Sequence, residues 1–68
     1  MAILGDEDIL YAVNQRSRQD AEYRRQLRTA IRHRNEEDVA DLIREAVLRI
    51  LGVVIEVAAD LVRLVLSR

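Results

Sequence analysis

Residues 35–68 hold most of the large aliphatic side chains of this chain and read NEEDVADLIREAVLRILGVVIEVAADLVRLVLSR. When the residues are placed 100° apart, as in an α-helix, the polar side chains fall on one stripe. That stripe is only about 100° wide, whereas a surface helix usually has an apolar stripe of about that width. A helix with this pattern needs to be covered on most of its sides. The polar stripe consists of Asp41, Glu45, Arg49, Gly52, Glu56, Asp60, Arg63 and Ser67.

The whole chain has the composition of a helical protein. Its 68 residues are 50% apolar and 34% charged, with two Gly and no Pro, and such a sequence prefers helix almost throughout. Asp6 and Asn35 are the expected N-caps, and the charge changes from basic to acidic across Asn35, as it should where one helix ends and the next begins. We predict a single domain over residues 1–68, with helix 1 over about 6–33, a turn at about 34–36 and helix 2 over about 36–67.

The predicted fold class is all-α, an antiparallel hairpin of two long helices of about 42 and 48 Å at about 1.5 Å per residue. The alternative is one continuous helix of about 60 residues in a coiled coil.

Helix 1 is too polar to cover helix 2, since Arg16 and Asp20 interrupt its sparse apolar side. We therefore predict that two hairpins join into a four-helix bundle, or that more join into a larger helical homo-oligomer. Leu51→Asp or Val54→Asp is then expected to abolish folding and association together, because an unpaired charge would enter the core. The predicted oligomer interface consists of Leu42, Ile43, Val47, Ile50, Leu51, Val54, Ile55, Ala58, Leu61, Val62 and Val65.

The residues available for chemistry are few. The chain has one His and no Cys, and it shows no nucleophile–base pair, phosphate-binding Gly loop or zinc spacing. His33 with Glu36 and Glu37 offers a metal only one imidazole across the predicted turn, so His33 is better explained as a cation at a helix C-terminus. We predict no catalytic residue, cofactor, metal or small-molecule substrate. The expected function is a non-catalytic self-assembling scaffold or protein-interaction module whose partner is itself.

A nucleic-acid-binding hairpin dimer is the alternative function. The net charge is −3 over residues 1–13, +5 over 14–34 and −3 over 35–68. On a continuous helix Arg18, Arg25, Arg28 and Arg32 lie within an arc of about 80° and could contact phosphates, as the outer helix face does in hairpin dimers of the Rop type, a likeness of architecture alone. The overall charge of −1 and the absence of Lys favour two other uses, a solvated face or contact with the acidic stripe of another subunit.

Two further features leave alternatives open. Arg16 and Asp20, four residues apart, form a buried polar layer that fixes register, or both are wet where the helix end splays. Gly52 interrupts helix 2, where it marks a close approach by a neighbouring helix, a bend, or chance tolerance.

No membrane span or secretory signal is expected. Residues 1–4 are followed by Asp6, Glu7 and Asp8 rather than an apolar run. The longest uncharged apolar run, residues 50–55, is far shorter than the roughly 20 residues of a spanning helix. The acidic polar stripe also disfavours a membrane-surface helix, so a cytoplasmic location is the expectation. The lack of Lys, Pro, Phe and Trp fits either a designed sequence or a strongly GC-biased one.

Overall fold

A computed structural model describes residues 4–67 and shows four α-helices in that range. No strand occurs among these residues, which confirms the all-α prediction. The two long helices of the predicted hairpin are not found, because each is divided in two, at Asp20 and over residues 52–58. The helices are α1 (Asp6–Gln19), α2 (Ala21–Arg32), α3 (Glu36–Leu51) and α4 (Ala59–Leu66).

The first break is a single residue, Asp20, whose backbone is extended with φ −136° and ψ 109°. Its carboxylate Oδ1 accepts hydrogen bonds from the backbone N–H groups of Glu22, at 2.9 Å, and Tyr23, at 3.3 Å. Asp is among the best N-cap residues because it satisfies N–H groups that have no partner inside the helix. Asp20 therefore ends α1 and begins α2.

The second break begins at Gly52, which has the left-handed backbone (φ 71°) that glycine adopts most easily. Its N–H donates to the carbonyl oxygen of Leu48 at 3.0 Å, so Gly52 closes α3. The following residues are mostly β-branched, which lowers their helix propensity. The chain resumes a helix only after Ala58, which makes no side-chain cap. The sequence allowed a close helix approach, a bend or chance tolerance at Gly52, and the structure shows the bend, because the helix ends at this residue.

The turn between α2 and α3 lies where it was predicted. Arg34 has a positive φ of 51°, and its N–H donates to the carbonyl oxygen of Ile31 while the Asn35 N–H donates to that of Ala30. This pair of bonds is the Schellman arrangement that closes a helix C-terminus. The Asn35 side chain then accepts from the Asp38 N–H at 3.2 Å, confirming Asn35 as an N-cap. At the start of α1, however, the N-cap is Gly5 rather than Asp6.

Helix α3 lies at the centre of the molecule and packs against each of the other three helices. Its buried positions recur every three or four residues, and Val39, Ile43 and Val47 are fully enclosed, as expected for the inner face of a helix. Helix α4 folds back onto α3. The core consists of Ile9, Ala12, Val13, Tyr23, Leu27, Ala30, Val39, Leu42, Ile43, Ala46, Val47, Leu61, Val62 and Val65.

The dimensions follow from the two breaks. The longest extent is 36 Å and the radius of gyration is 11.0 Å, close to the roughly 11 Å expected for a compact chain of this length. Neither unbroken helices of about 42 and 48 Å nor a single 60-residue helix fits within that extent. In residues 4–67, no helix combines the length and apolarity needed to cross a bilayer.

Candidate interaction surface

Six of the eleven predicted interface residues are buried within the single chain. Because α4 folds back onto α3, one copy by itself covers many of the aliphatic side chains that the sequence predicts a second copy would cover. Ile50, Leu51 and Ile55 are half-buried against the same core, whereas Val54 and Ala58 are exposed. The buried six are Leu42, Ile43, Val47, Leu61, Val62 and Val65.

Four exposed aliphatic side chains are concentrated in residues 48–64. Val54 is the most exposed, at 83% of its full area, followed by Leu48 at 48%, Val53 at 40% and Leu64 at 39%. We call these four residues the aliphatic surface. In the single chain the Val54 side chain lies in solvent, so an aspartate at this position would not enter the core of one copy. Tyr11, on α1, is the other large apolar side chain exposed in residues 4–67.

The backbone beside this surface is also unpartnered. Within residues 4–67, the N–H and C=O groups of residues 53–57 make no hydrogen bond to the protein. Side-chain exposure alternates over residues 54–57, since Ile55 and Val57 pack against the core while Val54 and Glu56 face solvent, and Val53 before them is also exposed. A period of two is typical of extended chain. Residues 53–57, which we call the linker segment, therefore offer both apolar side chains and free backbone groups.

The predicted arginine stripe is shortened by the break at Asp20. Arg18 belongs to α1, so only Arg25, Arg28 and Arg32 share one side of α2, and all four are exposed. Arg25 Nη1 lies 3.3 Å from Glu22 Oε2. No ion pair is formed by Arg28 or Arg32 within residues 4–67.

Arg16 and Asp20 form an ion pair, with Arg16 Nη2 3.1 Å from Asp20 Oδ2. The Arg16 side chain is only 18% exposed, and it also lies 3.6 Å from Glu45 Oε1 and stacks over the Tyr23 ring at 5.6 Å. Asp20 and Glu45 remain more than one-third exposed. The pair is therefore a half-buried junction between α1, α2 and α3, intermediate between the polar layer and the wet helix end that the sequence allowed.

Tyr23 anchors that junction to the core. Its hydroxyl donates a 2.7 Å hydrogen bond to the carbonyl oxygen of Leu42. Burial raises the pKa of the Tyr23 hydroxyl well above its usual value near 10. The Glu45 carboxylate raises this pKa further, and the Arg16 guanidinium lowers it in part. The phenol is thus held in its protonated, hydrogen-bond-donating form.

An open groove of about 510 Å³ lies between α2 and α3. Ala30 and Leu42 form its apolar part, and its charged residues are mostly acidic. One of these, Asp41, is paired with Arg44 along α3. The remaining lining residues are Glu22, Arg25, Gln26, Thr29 and Asp38.

Metal-binding residue types do not converge in the part of the chain that the structure describes, where no group of three or more His, Cys, Asp or Glu is found. His33 is exposed and is the C-cap of α2.

Comparison with protein families, curated proteins and solved structures finds no match to this chain.

Proposed function

We propose that this chain is a non-catalytic protein-interaction module that associates with copies of itself through the aliphatic surface. The observation that carries the proposal is the exposure of Val54 (83%) together with Leu48, Val53 and Leu64. Covering water-exposed aliphatic side chains with a partner lowers the free energy of the system and so favours association.

The size of the chain supports the same proposal. A domain of about 70 residues buries a modest share of its surface and is only marginally stable alone. Binding of a partner to the folded state adds stability by mass action. Association would therefore stabilise this chain as well as cover its exposed side chains.

The test is the mass in solution, measured by light scattering over micromolar concentrations. The expected result for the wild type is a mass at least twice 7.9 kDa. Val54→Asp should give a folded monomer, because it places a charge in the interface without entering the core. Asn14→Asp is the matched control, since it adds the same charge at an exposed site on α1. A wild-type chain that stays monomeric throughout would refute the proposal.

A second candidate function rests on α2. The exposed Arg25, Arg28 and Arg32 could contact phosphates of RNA or DNA, with Arg28 and Arg32 free of ion pairs in residues 4–67. It predicts retention of a single-stranded RNA that weakens steeply with salt and disappears in Arg28→Gln/Arg32→Gln. Retention unchanged in that variant would exclude this face. The aliphatic surface is favoured because exposed arginines are satisfied by solvent, whereas exposed aliphatic side chains are not.

A further inference from the structure

We propose that the linker segment pairs with the linker segment of a second copy as an antiparallel two-stranded β-ribbon. This inference rests on the proposed self-association and specifies how it occurs. Its starting point is the backbone of residues 53–57, whose polar groups have no partner within residues 4–67. A row of free N–H and C=O groups is a template for pairing with another extended chain.

The side chains of this segment suit a strand better than a helix. Four of its five residues are Val or Ile, which pack well on a pleated, half-buried surface. Ile55 and Val57 rest on the core of their own chain, so the side of the segment that they occupy is already covered. An isolated two-stranded ribbon is marginal in water, but here each strand would be backed by its own helical core.

Charge identifies a second copy in antiparallel orientation as the partner. Arg49 lies six residues before Ile55 and Asp60 lies five residues after it, and both are exposed. If two segments pair antiparallel around Ile55, Arg49 of each copy approaches the Asp60 end of the other, giving two attractive contacts.

A parallel pair would be repulsive. It would place each charged residue, including Glu56, against the same residue of the second copy. In the antiparallel pair Glu56 instead lies opposite Val54 of the other chain, and Val53 lies opposite Val57. Like charges directly opposite each other destabilise a strand pair, so the sequence of this segment favours one orientation.

The first experiment is amide hydrogen exchange of the wild-type chain, followed residue by residue by NMR across the association range. At low concentration the amides of the linker segment should exchange freely. At saturating concentration, every second amide of the segment should exchange roughly tenfold more slowly, because only one edge of a strand faces its partner. A dimer whose linker amides all stay unprotected would overturn the ribbon while leaving the proposed self-association intact. A chain that never dimerises would refute both.

The second experiment is a charge exchange. Arg49→Glu and Asp60→Arg should each weaken the dimer by roughly fivefold, the effect of two exposed ion pairs. Combined in one chain, the two substitutions restore both contacts and should return the dissociation constant to near the wild-type value. Far-UV circular dichroism at low concentration checks that each monomer is folded. Losses that simply add in the double variant would show that Arg49 and Asp60 do not meet, and would overturn the antiparallel register.

Discussion

The two breaks in the helical chain differ in how their backbone groups are satisfied. At Asp20 the chain leaves the helix for one residue, and a carboxylate accepts from the next N–H groups at once. At Gly52 the chain leaves the helix for seven residues, and α4 starts without a side-chain cap. The first break is closed by the chain itself, whereas the second leaves donors, acceptors and aliphatic side chains available to a partner. Only the second break leaves the following helix without a side-chain cap, and it is there that we propose an interaction surface.

The largest expected effect separates the covered from the exposed side of the second break. Val62→Asp should destabilise the monomer by at least about 3 kcal/mol, because it buries an unpaired charge between α4 and α3. Since a domain of this size has only about 3–5 kcal/mol to lose, the variant should be largely unfolded by circular dichroism. Val54→Asp, the same change at an exposed position, should keep the helical signal. Equal helicity in the two variants would contradict the packing of α4.

The junction beside the first break is tested by Tyr23→Phe. Removing the hydroxyl leaves the buried Leu42 carbonyl without its donor and should cost about 2 kcal/mol in urea unfolding. Tyr11→Phe is the control, because that ring is exposed and should be nearly neutral.

Tyr23 also predicts a pH dependence. Its pKa is raised in the folded state, so its contribution to stability is complete below pH about 10, where the unfolded phenol is still protonated. As the pH rises above about 10, the unfolded chain loses this proton first and the free energy of unfolding should fall. In Tyr23→Phe that fall should be reduced. An identical alkaline loss in both proteins would show that Tyr23 is not the group responsible.

The cap at the first break gives a smaller effect. Asp20→Ala should cost about 1 kcal/mol because two N–H groups of α2 lose their acceptor. Asp20→Asn keeps an acceptor oxygen and loses the charge that faces Arg16, so it should retain most of the stability. If Asn is as damaging as Ala in thermal unfolding, the ion pair rather than the cap is the important interaction.

Effects of about 1 kcal/mol or less are expected at the two residues with positive φ, and they have opposite signs. Gly52→Ala should cost about 1 kcal/mol from backbone strain alone, since no atom lies within 4 Å of the added methyl. Arg34→Gly should raise stability by about 0.5–1 kcal/mol, because glycine suits the closing residue of a Schellman turn. Arg28→Gly, within α2, is the control and should cost about 1 kcal/mol. Loss of stability in Arg34→Gly would show that its side chain contributes to the turn.

The difference between the breaks and the turn also explains how far the sequence could be interpreted. The turn was found because two signals agree at Asn35, a strong N-cap residue and a reversal of charge. At Asp20 the helical spacing of apolar residues continues across the break, and a carboxylate four residues after an arginine fits an ion pair as well as a cap. The two choices differ by about 1 kcal/mol, which tertiary packing readily decides.

The prediction of one helix over residues 36–67 is wrong for a related reason. Its very wide apolar arc arises because α3 and α4 each bury their own face, and a continuous projection adds the two faces together. Gly52 followed by a run of Val and Ile was the available sign of a C-cap and a non-helical segment. Without that break the aliphatic surface cannot be distinguished from the core, because Val54 and Val62 are the same residue type within the single helix that the sequence predicts.

The central position of α3 has a consequence for the order in which the protein forms during synthesis. Residues 6–32 leave the ribosome before the residues of α3 on which they pack. Until residue 47 has emerged, the apolar side chains of α1 and α2 therefore have only each other to pack against. The core around α3 can close only from that point, and α4, which follows in the sequence, is the last helix available to pack on it. A chain cut at the turn should yield two peptides that are each largely unfolded and regain helix only when mixed.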